Sequence, residues 1–215
     1  MEVEKKAGLE ILTFVLGPIM TNCYVVACEQ TKEAVIIDGG ADAHLLVDAL
    51  EERGYELKAV WQTHAHIDHV AGLNEVRAKS AAPIYLHEKE QPLYDAAVEQ
   101  GLRFGFQIQP LPKVDQYVDE GQVVNVGEGQ AKVLLLPGHS PGSVAFYFEE
   151  KGLFFGGDVV FAGSVGRVDL PGSSPSEMRA SLARIKELPE EVEIFPGHGP
   201  KTTLKQELRL NPFLR

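Results

Sequence analysis

Leu57-Lys58-Ala59-Val60-Trp61-Gln62-Thr63-His64-Ala65-His66-Ile67-Asp68-His69 reads as a buried strand running into a turn, and a helical pattern follows from Val70 to Lys79. Four ligand-type side chains within this one turn, His64, His66, Asp68 and His69, can crowd two cations only on a tight strand-to-helix loop. In extended backbone His64 and His66 project to the same side. Asp68 and His69, at the start of the helix, turn toward a neighbouring position. Two metal ions a few ångströms apart are the natural reading.

Three further residues sit in comparable places. His139 follows the strand-like run Val133–Leu136 through Pro137-Gly138, Asp158 follows Leu153–Phe155 through Gly156-Gly157, and His198 follows Glu193–Phe195 through Pro196-Gly197. Glycine and proline at strand ends let such side chains project into a shared cleft. A histidine for each metal and a carboxylate able to bridge complete two coordination spheres with room for water. Of the seven histidines, only His44 and His87 fall outside this set, and both read as ordinary structural residues.

The other strand-like runs are Ile11–Leu16, Tyr24–Ala27, Ala34–Ile37, Ile84–Leu86, Val123–Val126, Val144–Phe148 and Val192–Phe195. Helical patterns cover Ala43–Arg53, Glu88–Gln100 and Ser176–Leu188, with Ser174 or Ser176 as N-cap. Periodicity supports an α/β class. With 215 residues, 44% hydrophobic, and no interrupting linker, a single domain over residues 1–215 is expected.

A net charge of −11 without a lysine or arginine cluster argues against a nucleic acid partner, since phosphate backbones demand cationic surface. The amino end lacks an apolar signal core and no stretch of eighteen apolar residues occurs, so no membrane partner and a cytoplasmic location are expected. Cys23 and Cys28 read as buried small hydrophobes rather than a disulfide or a nucleophile.

The run HxHxDH at 64–69, followed in order by His139, Asp158 and His198, resembles the metallo-β-lactamase superfamily over nearly the whole chain. The resemblance implies a four-layer αββα sandwich. It also implies one metal on His64, His66 and His139, a second on Asp68, His69 and His198, and Asp158 as bridge. Cys at position 158 would have suggested a true β-lactamase, and Glu at 66 an oxygen-reducing di-iron protein. Within the superfamily, Gly157-Asp158-Val159-Val160-Phe161-Ala162-Gly163-Ser164-Val165-Gly166-Arg167 is similar to the short bacterial glyoxalase II type, as are His198-Gly199-Pro200 and Asn211-Pro212-Phe213. Only 17 residues follow His198, so a domain without the C-terminal helical extension of full-length glyoxalase II, which carries basic residues for glutathione, is expected.

What this implies is a hydroxyacylglutathione hydrolase-like enzyme that cleaves a small-molecule thioester with a metal-bridging hydroxide, oriented by Asp68. The cofactors expected are two divalent ions, zinc first, with iron or manganese also suited to these ligands. Arg167 is a substrate-binding candidate, since a guanidinium grips a carboxylate bidentately; it could instead pin its own loop through Asp169. Asp38 matches the superfamily's first motif and is expected to orient the ligand loop, with Thr63 as a cap or loop hydrogen bonder and Asn22 bridging nearby backbone. The rival readings are a mononuclear-iron persulfide dioxygenase of the same superfamily and a lactonase or other ester hydrolase.

Overall fold

Short turns of two to four residues join the first four strands, whereas helices separate the next three, and this difference sets the sheet directions. The computed structural model describes residues 1–105 and 107–215, which form two compact units. The first comprises residues 1–118 and 125–129, the second residues 119–124 and 130–215.

In the first unit β1 (Glu2–Lys6), β2 (Leu9–Leu16), β3 (Thr21–Cys28) and β4 (Glu33–Ile37) run antiparallel in sequence order. Helix α1 (His44–Arg53) leads to β5 (Glu56–Trp61), α2 (Ile67–Val70) and α3 (Leu73–Lys79) lead to β6 (Ile84–His87), and α4 (Gln91–Asp95) and α5 (Ala97–Phe104) lead to β7 (Gln116–Val118). Strands β4 to β7 are parallel, and the seven strands lie in the order β1-β2-β3-β4-β5-β6-β7. Val25 and Ile36 of the sheet pack with Leu46, Val47 and Leu50 of α1 and Leu73 and Val76 of α3 in one apolar cluster. Burying each such side chain contributes about 1.5–3 kcal/mol.

The second unit is built largely on a six-stranded sheet. Its elements are β8 (Val123–Val126), β9 (Gly129–Leu135), β10 (Val144–Phe148), β11 (Leu153–Gly157), the small hairpin β12 (Val160–Phe161) and β13 (Ser164–Val165), α6 (Pro175–Ile185), β14 (Glu193–Pro196), β15 (Thr202–Thr203) and α7 (Leu204–Leu210). The sheet order is β15-β14-β11-β10-β9-β8, with β11 and β14 parallel. Helix α6 packs Met178, Leu182 and Ile185 with Leu134, Tyr147, Phe154 and Ile194. Ser174 is its N-cap, accepting the Glu177 amide at 3.3 Å, and the helix ends before Leu188.

Two expected helices are each broken. The pattern from Val70 to Lys79 divides into α2 and α3 at Ala71-Gly72, where the Gly72 amide donates to the Gly39 carbonyl at 3.0 Å. A Cβ on Gly72 would stand 2.0 Å from the Gly40 carbonyl oxygen, so two backbones meet where an ordinary helix would carry a side chain. The pattern from Glu88 to Gln100 becomes a 3₁₀ turn at Glu88–Glu90 followed by α4 and α5. Gln100 Nε2 takes the Leu93 carbonyl at 2.6 Å, an acceptor that an unbroken helix would give to the amide of residue 97. Strands β1, β7, β12, β13 and β15 and helix α7 had no sequence signal, being short or strongly charged. Among the described residues no helix is long and apolar enough to cross a membrane.

Asp115 ties β6 to α3, accepting the Ile84 amide at 2.9 Å and the Arg77 guanidinium. Burial pushes its carboxyl up, but the Ile84 amide and Arg77 outweigh this and hold the pKa below its ordinary value. A carboxyl depressed in the folded state stabilises above its unfolded pKa, about 3.9, and that stabilisation is lost as pH falls through the folded value. Asp115→Ala is expected to cost about 1 kcal/mol near neutrality, discounted for partial exposure, and progressively less in acid. Urea unfolding at several pH values checks this; a difference that stays constant as pH is lowered would refute it.

Candidate metal centre

Because β4, β5 and β6 are parallel, their carboxyl ends emerge at one edge of the sheet, together with the start of antiparallel β3. That edge carries Asp38, the run from Thr63 to His69, Glu90 and Thr21. The ring centroids of His64 and His69 are 4.1 Å apart, those of His64 and His66 4.9 Å. His64 and His69 are almost fully buried and His66 nearly so.

Asp38 organises this first donor set. Its carboxylate accepts the Thr63 amide, the Thr63 hydroxyl and His69 Nδ1, each at 2.8 Å. Asp38 adopts a left-handed backbone, φ 63°, a conformation that aspartate tolerates better than most residues. A carboxylate only accepts, so His69 carries its proton on Nδ1 and leaves a lone pair on Nε2. The Thr63 hydroxyl spends its proton on Asp38, so His64 Nδ1, 3.0 Å from Thr63 Oγ1, must donate as well. His64 Nε2 is thereby also left with the lone pair. Thr21 Oγ1 donates to Asp68 Oδ2 at 2.8 Å, and His69 Nε2 lies 3.4 Å from the same oxygen.

The peptide between His64 and His66 is held from both ends. Buried Glu90 accepts the Ala65 amide at 2.8 Å, and Gln100 Nε2 reaches the Ala65 carbonyl at 3.4 Å.

In the second unit β9, β11 and β14 run in the same direction, so His139, Asp158 and His198 again leave one edge of a sheet. The Gly197 amide donates to the Gly157 carbonyl at 2.7 Å, joining the turns that carry His198 and Asp158. His139 Nδ1 lies 2.9 Å from the Arg167 carbonyl oxygen; a carbonyl can only accept, so Nε2 is the lone-pair nitrogen here too. Asp158 Oδ2 is 3.4 Å from His139 Nε2 and 3.5 Å from His198 Nε2. Gly166 is required at this point: a Cβ would fall 1.8 Å from the Asp158 carbonyl oxygen.

The donor chemistry fits cations. Two ligand atoms each about 2.1 Å from one tetrahedral ion lie about 3.4 Å apart. The separations of 3.4, 3.4 and 3.5 Å between imidazole nitrogens and carboxylate oxygens match this edge in both units. In the His69–Asp68 and His139–Asp158 pairs, where the nitrogen is a lone pair, two acceptors face each other. Only a positive charge between them turns that opposition into attraction.

The remaining sequence candidates fall as follows. Arg167 is exposed and grips Asp169 bidentately, Nε to Oδ1 at 2.6 Å and Nη2 to Oδ2 at 2.8 Å. His44 bonds Glu75 through Nδ1 at 2.8 Å, and His87 Nδ1 accepts the Lys89 amide at 3.2 Å, so neither joins a donor set. Cys23 and Cys28 are buried and form no disulfide, and burial pushes the Cys23 thiol up to about 12. Asn22 hydrogen-bonds the Tyr24 side chain. Sequence reasoning missed Thr21, Glu90 and Gln100, each a common polar residue without a motif around it.

Comparison with known proteins agrees with this geometry. The family model of the metallo-beta-lactamase superfamily matches residues 16–198. The chain is similar to hydroxyacylglutathione hydrolase GloC of Haemophilus influenzae, at 36% identity over 90% of this chain and 92% of that protein. Among solved structures it is similar to TTHA1623 in a di-iron-bound form, with 41% identity, a TM-score of 0.87, and coverage of 94% of this chain and 100% of that one. It is also similar to BLEG-1 B3 metallo-beta-lactamase, with 39% identity, a TM-score of 0.88, and coverage of 95% and 99%. The α/β fold is of the metallo-β-lactamase type expected from the sequence, and this chain belongs to the metallo-β-lactamase superfamily of metal-dependent hydrolases.

Proposed function

We propose that the protein hydrolyses small-molecule thioesters of the S-lactoylglutathione kind, with both donor sets serving one dinuclear centre. The observation that supports this most is the set of seven candidate donors, in which hydrogen bonds orient His64, His69 and His139 and the Nε2 atoms of His69, His139 and His198 stand 3.4, 3.4 and 3.5 Å from carboxylate oxygens. His64, His66 and His139 would hold one ion, Asp68, His69 and His198 the other, with Asp158 between them. Two divalent ions held there, zinc first and iron or manganese also suited, would lower the pKa of a shared water toward neutrality and polarise a carbonyl.

The chain's own residues do the rest. Asp68, fixed by Thr21, would accept a hydrogen bond from the attacking water and so aim its lone pair at the thioester carbon. Asp38 and Thr63 keep His69 and His64 in the ligating tautomer. A thiolate leaves without a strong general acid, because thiols ionise near about 8.5, so an amide is a poorer substrate for this set. The similarity to a hydroxyacylglutathione hydrolase over nine-tenths of the chain supports the same substrate class.

Arg167 would bind the carboxylate of an anionic thioester, exchanging Asp169 for substrate. Arg167→Ala is expected to raise KM about tenfold while kcat changes little, as for loss of one exposed charge-assisted contact. An unchanged KM would mean that Arg167 only pins its loop.

The deciding experiment measures metal per chain on protein purified without added metal, alongside S-lactoylglutathione cleavage with and without oxygen. About two metals with oxygen-independent thiol release are expected. One iron with oxygen consumed on glutathione persulfide would replace this reading with a dioxygenase. Faster turnover of a lactone or a β-lactam would keep the centre and change the substrate.

A further inference from the structure

Helix α7 and the residue after it place a carboxylate and an amide, Glu207 and Asn211, fully inside the second unit. Neither belongs to the donor sets. Glu207 Oε1 accepts the Thr202 hydroxyl at 2.6 Å, and Oε2 accepts the Gly163 amide at 2.7 Å and Asn211 Nδ2 at 2.9 Å. Asn211 Nδ2 also donates to the Ser164 carbonyl at 2.9 Å and the Phe161 carbonyl at 3.3 Å, while Asn211 Oδ1 accepts the Phe213 amide at 3.0 Å. Two neighbouring side chains therefore bond four separate points on the β12–β13 hairpin and the strand after His198.

Those points surround the second donor set. The hairpin begins directly after Asp158 and Val159 and runs on into Gly166 and Arg167, whose carbonyl holds His139 Nδ1. Phe161, on the hairpin, sets its ring edge-on to His198, with centroids 6.0 Å apart and planes at 83°. Thr202 lies on the short strand that follows the His198 turn. A hairpin of two-residue strands has little rigidity of its own, so its position must come from elsewhere.

We infer that Glu207 and Asn211 are positioning residues, a clasp by which the C-terminal helix fixes His139, Asp158 and His198 at ligand spacing. The inference rests on the metal reading given above. Supporting bonds around ligands govern metal affinity by orientation, even where they touch no metal. The clasp also has a chemical polarity that a packing role would not need. Glu207 must accept from two nitrogens, and Asn211 must donate to two carbonyls.

The test measures zinc affinity by competition with a chromophoric chelator on metal-stripped protein, together with thermal unfolding of the same metal-stripped samples. Glu207→Ala and Asn211→Ala are expected to bind zinc about 10–100-fold more weakly while remaining folded at the assay temperature. Glu207→Gln is expected to stay near native affinity. Its oxygen can keep Gly163 and Asn211, and its NH₂ can donate to Thr202 Oγ1, which accepts equally well. Should Glu207→Ala fail to fold, Asn211→Ala and Glu207→Gln still decide, since the first is expected to weaken zinc binding and the second to leave it near native. Native zinc affinity in folded Asn211→Ala, with only a lower unfolding temperature, would overturn the clasp. Failure of the unaltered protein to bind zinc, iron or manganese would instead overturn the metal reading and the clasp with it.

Discussion

Asp158→Ala is expected to lower kcat/KM by at least about 10³-fold, equivalent to about 4 kcal/mol of transition-state stabilisation, and to reduce the metal content per chain. The size follows from position. One oxygen of Asp158 lies 3.4 Å from His139 Nε2 and 3.5 Å from His198 Nε2, so one substitution removes the anion between two imidazoles. The same change should leave the metal-stripped protein at least as stable as before, because it relieves crowded acceptors that help only when a cation is bound. Stability should fall only when the comparison is made with metal present. Calorimetry with and without zinc, beside steady-state kinetics, separates these effects. Unchanged metal content and rate would exclude a bridging role.

Asp38→Asn is expected to weaken metal binding about 10–100-fold and to cost about 2 kcal/mol of stability, although the residue touches no proposed substrate atom. Both carboxylate oxygens accept, one from the Thr63 amide and the other from the Thr63 hydroxyl and His69 Nδ1. An asparagine must turn its NH₂ toward one of these partners. Facing the Thr63 amide, it sets two donors, its own NH₂ and the Thr63 N–H, against each other in a buried site. Facing His69, it favours the tautomer with the proton on Nε2, which cannot ligate. Metal occupancy after dialysis checks the prediction, and full occupancy would show that Asp38 holds only the loop. Glu207→Gln differs because the hydroxyl that faces Glu207 Oε1 can reverse its role, whereas the amide and the imidazole facing Asp38 cannot do so without loss.

Much of the donor set was legible in the sequence because its information is local. His64, His66, Asp68 and His69 occupy one turn, and the strand before it is an apolar run, so residue type and spacing identify both the loop and its chemistry. His139, Asp158 and His198 were legible for a related reason, since each follows a strand and a glycine that ends it. Ser174 could be read as a cap because a cap is defined by its neighbours a few residues away. The breaks in two helices could not. They depend on the close approach of Gly39-Gly40 to Gly72 and on a side chain seven residues away capturing a carbonyl.

The sequence by itself determined the α/β class and the strands whose ends carry the candidate donors, and it named seven candidate donor residues. It left open which nitrogen each histidine presents and what keeps the loops in place. Tertiary structure decided both. Glu90 lies 25 positions from the Ala65 amide it accepts, Thr21 47 from Asp68, and Glu207 44 from Gly163. In the chain these are a glutamate in a charged stretch, a threonine at a strand start and a glutamate in a short helix, none different from a solvated surface residue. Parallel pairing brings the ends of β4, β5 and β6 to one edge of their sheet, and those of β11 and β14 to one edge of theirs, where burial obliges each polar group to find a partner. That obligation, which exists only once water is excluded, selects the tautomers and fixes the donor spacing.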